Sequence, residues 1–218
     1  MKPIDSDRQD DSKETGRVEA FSDGVFAIAI TLLVLDLHVP QNLHSVEGLL
    51  GSLQEQWPAY LAFLLSFATI GIMWINHHYL FNLITRTDHW LLVFNALLLL
   101  TITVVPFPTS LLAEYIGHDG QQVAMAVYAG WGLVIALMFN LVWRYATHGG
   151  RLISSRADPQ AIRVISRGYA FGPFLYLLSF GLAFLSVPAS LGVAIALAIF
   201  FALPGSALRK LTGLGGQT

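Results

Sequence analysis

Apolar residues dominate six long stretches of the chain, separated by short polar or proline-containing breaks. They predict helices near Val18–Leu37, Trp57–Phe81, Trp90–Ala113, Gln122–Ala146, Gly168–Val187 and Ala189–Ala207. Each is close to the ~20 residues a helix needs to cross a bilayer. The last two are separated only by a Ser186–Val187–Pro188 corner, which predicts a tight helical hairpin. Between the first two, Ser45–Gln56 reads SVEGLLGSLQEQ. Val46, Leu49, Leu50 and Leu53 recur there at helical spacing behind a potential Ser45 cap. Two readings of this segment stand: a short helix lying in the outer membrane interface, or a polar loop with a few leucines. Residues 1–16 lack an apolar run and are expected to form a disordered tail; 17–210 form the membrane domain, and 211–218 a short C-terminal tail.

Composition turns these stretches into membrane spans. Hydrophobic residues make up 55% of the 218 and charged ones 12%, about half the charge usual in a soluble domain. The mean hydropathy is +0.61. The net charge of −2 is uninformative as a sum, but its distribution sets an orientation. All 12 Lys and Arg fall in the N-terminal segment, the second and fourth connections with their flanks, or the C-terminal segment. The other three connections and their edges carry Asp36, Glu47, Glu55, Glu114 and Asp119 instead. By the positive-inside rule both termini are cytoplasmic. The expected fold is therefore all-α with six transmembrane helices. The absence of cysteine excludes disulfides and thiol chemistry.

Few polar residues interrupt the spans. An ionised group at the bilayer centre costs about 2.5–3.5 kcal/mol on insertion scales, so each needs a partner or a wet site. On a helical wheel of the first span, Arg17, Phe21, Gly24, Ile28 and Leu35 fall within about 40° of one line, with Leu32 and Thr31 beside it. Asp23 points about 120° away. It is read either as pairing with Arg17 of another turn or subunit, or with His77 or His78, to hold the inner end of the bundle, or as a headgroup-level charge favoured by the helix dipole. His77 and His78 are adjacent on a helix and diverge by about 100°, which disfavours a shared metal ion. Proton sensing by an imidazole stays open. No nucleophile elbow, Walker loop, zinc-protease motif or dinucleotide fingerprint occurs, and no TVGYG-type filter, so no enzymatic activity and no cofactor are expected.

Certain residues do carry a family likeness. Arg17 to Leu35, RVEAFSDGVFAIAITLLVL, resembles the R-x-x-x-F-S-D signature and first helix of the transmembrane protein 175 family, the lysosomal potassium channels and their bacterial homologues. Trp74-Ile-Asn-His-His-Tyr-Leu-Phe81 in the second span agrees with it, as does Asn95 followed by Pro106-Phe-Pro-Thr109 in the third. The resemblance covers about the first half of the chain.

It implies a passive potassium-permeable channel in which potassium ions are the permeant species and no carbonyl filter is present. A chain with one six-helix repeat resembles the prokaryotic members, which implies a homotetramer around a central pore lined by the first helix, in a bacterial inner membrane. Carried over by position, Ile28 would form the constriction with Leu32 and Leu35 above it, and Thr31 would add a hydroxyl layer. Arg17, Phe21, Ser22, Asp23, Trp74, His77 and Asn95 would position the pore helix. Expected partners are identical subunits and the lipid bilayer, with no nucleic acid. Two other classes remain open at this level: a proton-linked or secondary ion transporter, motivated by the intramembrane histidines and Asp23, and a non-transporting structural membrane protein.

Overall fold

The computed structural model describes residues 4–41, 45–154 and 157–202, with side chains from Glu14 onward. The described residues form helices α1 (Ile4–Leu32), α2 (Val46–Glu55), α3 (Trp57–Leu83), α4 (His89–Thr103), α5 (Pro106–Tyr115), α6 (Gln121–Thr147), α7 (Pro159–Ala183) and α8 (Val187–Ala202). Among the described residues, four helical segments are long and apolar enough to cross a membrane: Glu14–Asp36, Trp57–Leu83, His89–Tyr115 and Gln121–Gly150. Helix α8 is apolar but shorter over its described length, and α7 carries Arg163 and Arg167 in its first turns.

Several boundaries differ from those the hydrophobic pattern predicts. Helix α1 starts at Ile4, not after residue 16. Nucleation is the costly step in a helix, and once the apolar segment is helical a polar run rich in Asp, Glu, Lys and Arg propagates it cheaply. The same helix ends early: after Leu32 the backbone tightens into a 3-10 turn over Leu33–Asp36. Helix α7 begins nine residues before its predicted start. Asp158 caps it through Gln160 N–H at 2.9 Å, and Pro159 occupies the first turn, where its missing N–H costs nothing. The stretch 203–207 of the last predicted span, Arg209, Lys210 and the 211–218 tail lie outside the described residues.

The third predicted span is broken at Val104–Val105, ahead of Pro106 and Pro108. Proline has no N–H to donate and its ring crowds the carbonyl four residues earlier. Val105 N–H turns to Ile102 O at 3.1 Å, and the Thr101 carbonyl accepts from the Trp131 indole at 2.9 Å. A similar repair occurs around Pro173 inside α7, where the freed Tyr169 carbonyl accepts from the Asn140 amide, itself held by Arg144 Nε at 2.6 Å through its oxygen. In an apolar medium such side-chain donors are what makes an interrupted helix tolerable.

Helix α6 packs most extensively on α7, which pairs in turn with α8, while α1 packs on α3 and α4. Close approach of α6 and α7 depends on Gly130 and Gly132, where an added Cβ would lie 3.2 Å from Phe180 and 2.6 Å from Tyr176. The main core joins Phe26, Ala29 and Leu33 of α1 and its 3-10 turn to Ile70, Leu80 and Phe81 of α3, Leu91, Leu98 and Ile102 of α4, and Val142 and Trp143 of α6. At one end an antiparallel bridge between Ile84 and Ile153 ties the α3–α4 connection to the α6–α7 connection, through Thr85 N–H to Leu152 O and Ser154 N–H to Leu83 O, both 2.9 Å. Next to it Asp88 caps α4, accepting from Leu91 N–H at 2.8 Å and Tyr145 OH at 2.7 Å. Desolvation raises its carboxyl, but those hydrogen bonds and the Arg151 charge outweigh it and leave Asp88 below the ordinary carboxylate range.

Candidate functional site

Helix α1 has two opposed faces. Ser22, Phe26, Ala29 and Leu33 follow helical spacing, and all four are buried against the rest of the chain. On the opposite side Phe21, Ile28 and Leu35 are 67%, 61% and 70% exposed, and Leu32 is 41% exposed. The large apolar side chains at those positions are not part of this chain's core. In the 3-10 turn, residues three apart eclipse, so Leu35 comes round to nearly the line of Leu32 even though the α-helix has ended. Thr31, also exposed, donates its hydroxyl to the Ile28 carbonyl at 2.9 Å. Its proton is engaged within the helix, so the oxygen lone pairs are what the side chain offers outward, as a cation would require.

The buried face is held by a directional chain of hydrogen bonds. Ser22 Oγ donates to Val18 O at 2.8 Å. With that proton committed, Asn95 must present its amide N–H to Ser22 Oγ, at 3.0 Å, and its oxygen to His77 Nε2, at 2.9 Å. His77 therefore carries its proton on Nε2. Ser22 and His77 are fully buried and Asn95 nearly so. The His77 ring stacks on Phe81, with centroids 4.4 Å apart, and tilts against Phe26, while its Nδ1 is buried without a hydrogen bond. One helix from each of three spans thus contributes one polar side chain to a single line.

Asp23 stands outside that line. Its Oδ1 accepts from the Trp74 indole N–H at 2.8 Å, so within one chain Asp23 is held by a neutral partner on α3. Trp74 also stacks on His78 with centroids 6.1 Å apart, and His78 Nδ1 approaches Glu19 Oε1 to 2.6 Å, a pair that is ionic only when the imidazole is protonated. His77 faces the core and His78 the surface, as the divergence of adjacent helical positions requires. Arg17 and Phe21 are exposed, and none of these hydrogen bonds reaches them.

A further anchor was not legible in the motif pattern. Beyond Leu35, Asp36 Oδ1 accepts from Ser110 Oγ on α5 at 2.6 Å, which ties the 3-10 end of the first span to the segment after the proline break. The only sequence signal for it is an acidic residue closing an apolar run. The exposed stripe is thus fixed from behind at both ends, by Ser22 and Asp23 at one and by Asp36 at the other.

The comparisons with other proteins agree on one family. The profile of the endosomal/lysosomal potassium channel TMEM175 matches residues 17–106, which contain Ser22, Asp23, Ile28, Trp74, His77 and Asn95. A potassium channel of Chamaesiphon minutus is 54% identical over 90% of this chain and 98% of its own length. One from Streptomyces collinus is 46% identical over 86% of this chain and 91% of its own. The crystal structure of a lysosomal potassium-selective channel TMEM175 homologue from Chamaesiphon minutus superimposes with a TM-score of 0.78 at 52% identity, covering 87% of this chain and 97% of that one. The likeness to both potassium channels runs well past the 17–106 segment into the second half of the chain, and the chain belongs to the TMEM175 potassium channel family.

Proposed function

We propose that this chain is a passive potassium-permeable channel, built as a homotetramer with the Ile28, Leu32 and Leu35 stripe of α1 around a central pore. The observation that carries this reading is an exposed aliphatic stripe on the side of α1 turned away from the Ser22, Phe26, Ala29 and Leu33 face that packs on the rest of the chain. Four copies facing an axis would cover the aliphatic side chains that one copy leaves bare, and would set Thr31 hydroxyl oxygens close to the ring of Ile28. The potassium channels named above, similar along nearly their whole lengths, support the choice of ion.

The chemistry follows from width. A narrow ring of isoleucine side chains expels water and blocks ions, while a wider one passes partly hydrated cations. Acidic residues at the far end, Asp36, Glu47, Glu55, Glu114 and Asp119, would raise the local cation concentration. Six spans, counting α4 and α5 as one, with both termini in the cytoplasm of a bacterial inner membrane, are supported by the segregation of basic residues. In the same arrangement Arg17 and Phe21, exposed on the single chain, are available to a neighbouring subunit.

The test is the reversal potential of purified protein in planar bilayers under opposed potassium and sodium gradients. A channel of this kind gives a potential displaced toward the potassium equilibrium value, independent of any proton gradient. A potential that follows the proton gradient, with turnover-limited flux, would identify a coupled carrier, and no flux at all would leave a structural membrane protein.

A further inference from the structure

Helix α2 turns its apolar face outward, as the interfacial reading of this segment expects. Ser45 Oγ caps it, accepting from Gly48 N–H at 3.0 Å. Val46, Leu49, Leu50 and Leu53 form one stripe of the wheel, and every one of them is exposed. The side only partly open to solvent carries Gly48, Gly51 and Ser52 instead. No residue of α2 is buried, and its contact with α3 is slight. The chain therefore holds this helix by its small and polar side and turns four aliphatic side chains away from itself.

We infer that the Val46, Leu49, Leu50 and Leu53 face of α2 is a lipid-binding surface, seated in the headgroup and acyl boundary of the outer leaflet beside the mouth of the pore. Two observations favour lipid over protein as the occupant. Only Gln56 separates α2 from Trp57, the first residue of a membrane-length helix, so α2 is tied to the level at which α3 enters the bilayer. Trp57 is itself exposed there, as a tryptophan at the membrane interface is.

The charges specify the kind of lipid contact. Glu47 and Glu55 are the charged residues of α2, and it has no lysine or arginine. Attraction to anionic headgroups, which draws basic interfacial helices to membranes, is absent here. Apolar burial carries the contact, so it should be as strong on zwitterionic lipid as on anionic lipid. The single residue Gln56 joins α2 to α3, so its seat in the interface would fix the height at which α3 enters the bilayer.

The inference rests on α3 spanning the bilayer and does not depend on ion conduction. Because the chain contains no cysteine, single nitroxide labels can be placed without background. Leu50→Cys, Leu53→Cys and, on the polar face, Glu47→Cys are labelled and reconstituted into phosphatidylcholine vesicles with and without phosphatidylglycerol. Collision with oxygen is compared with collision with a water-soluble nickel chelate. The ratio of oxygen to nickel accessibility is expected to be severalfold higher at 50 and 53 than at 47, and the same in both lipid mixtures. Equal nickel access at 50, 53 and 47 would place the stripe in water. Shielding of 50 and 53 from both reagents, with spin coupling between labels, would place it against another subunit. A contrast found only with phosphatidylglycerol would mean a charge-driven contact. Any of these three results overturns the inference. Retained potassium flux in the labelled variants keeps the test separate from the channel reading.

Discussion

Replacing Ile28 with Asn is expected to raise single-channel conductance and to lower potassium preference over sodium. Ile28 lies on a bare face of α1, one turn before Leu32 and next to the Thr31 hydroxyl. In a four-fold ring the isoleucines make the narrowest level apolar, and the cost of conduction there is the cost of wetting it. A carboxamide at each position supplies donors and acceptors that hold water in the constriction. Lowering the barrier by about 1.4 kcal/mol corresponds to about a tenfold faster passage. The same water lets sodium cross with more of its hydration shell, so the permeability ratio should fall toward unity. Recordings in bilayers check both effects, and an unaltered current from a folded tetramer would count against Ile28 as the constriction.

Asn95→Ala is expected to produce the largest loss of stability in the family segment. Asn95 joins three helices: its oxygen accepts from His77 on α3, and its amide donates to Ser22 on α1. One interhelical hydrogen bond in a membrane protein contributes only ~0.6 kcal/mol on average, because the unfolded state in the membrane finds other partners. Two bonds break here, however, and the His77 N–H stays buried among Phe26 and Phe81 with its other nitrogen already unpartnered. An orphaned buried donor costs about 1–3 kcal/mol. Together these give a loss of about 2–4 kcal/mol, enough to lower the melting temperature of the detergent-solubilised protein by several degrees and to reduce the tetramer fraction. The surviving channels should keep their potassium preference, since the line holds the back of α1 and not its exposed stripe. An unchanged melting temperature would mean that this line does not hold the helix.

How much of this was readable in advance follows from which forces act over short stretches of chain. Apolar length and helical spacing are local, so the helices through Ile28, His77, Asn95 and Trp131 were legible, as was the separation of Asp23 from the Ile28 face. Ser45 was recognised as a cap because capping involves only the next three residues. The break at Val104–Val105 was missed although Pro106 was in view. Whether a proline bends, ends or merely interrupts a helix depends on donors such as Trp131, which arrive from another helix. The Trp74 partner of Asp23 was not legible for a similar reason. Charge pairing suggested Arg17 or a histidine, whereas the packing of α1 on α3 brings the neutral Trp74 indole to the carboxylate. The Asp36–Ser110 contact joins residues 74 positions apart and follows from the proline break, so no local pattern could announce it. Among the described residues of one chain, Arg17 and Phe21, which the resemblance places in the positioning network, lie outside its hydrogen bonds.

The central claim, that ions pass along the exposed face of α1, is tested most directly by chemical modification at one atom. With no cysteine elsewhere in the chain, Ile28→Cys offers a single thiol to a positively charged methanethiosulfonate reagent applied during recording. Leu178→Cys, exposed on α7 rather than on α1, serves as the control. The account predicts that modification at 28 abolishes or strongly reduces potassium current while modification at 178 leaves it unchanged. A current that persists unaltered after mass spectrometry shows complete modification at 28 would contradict it.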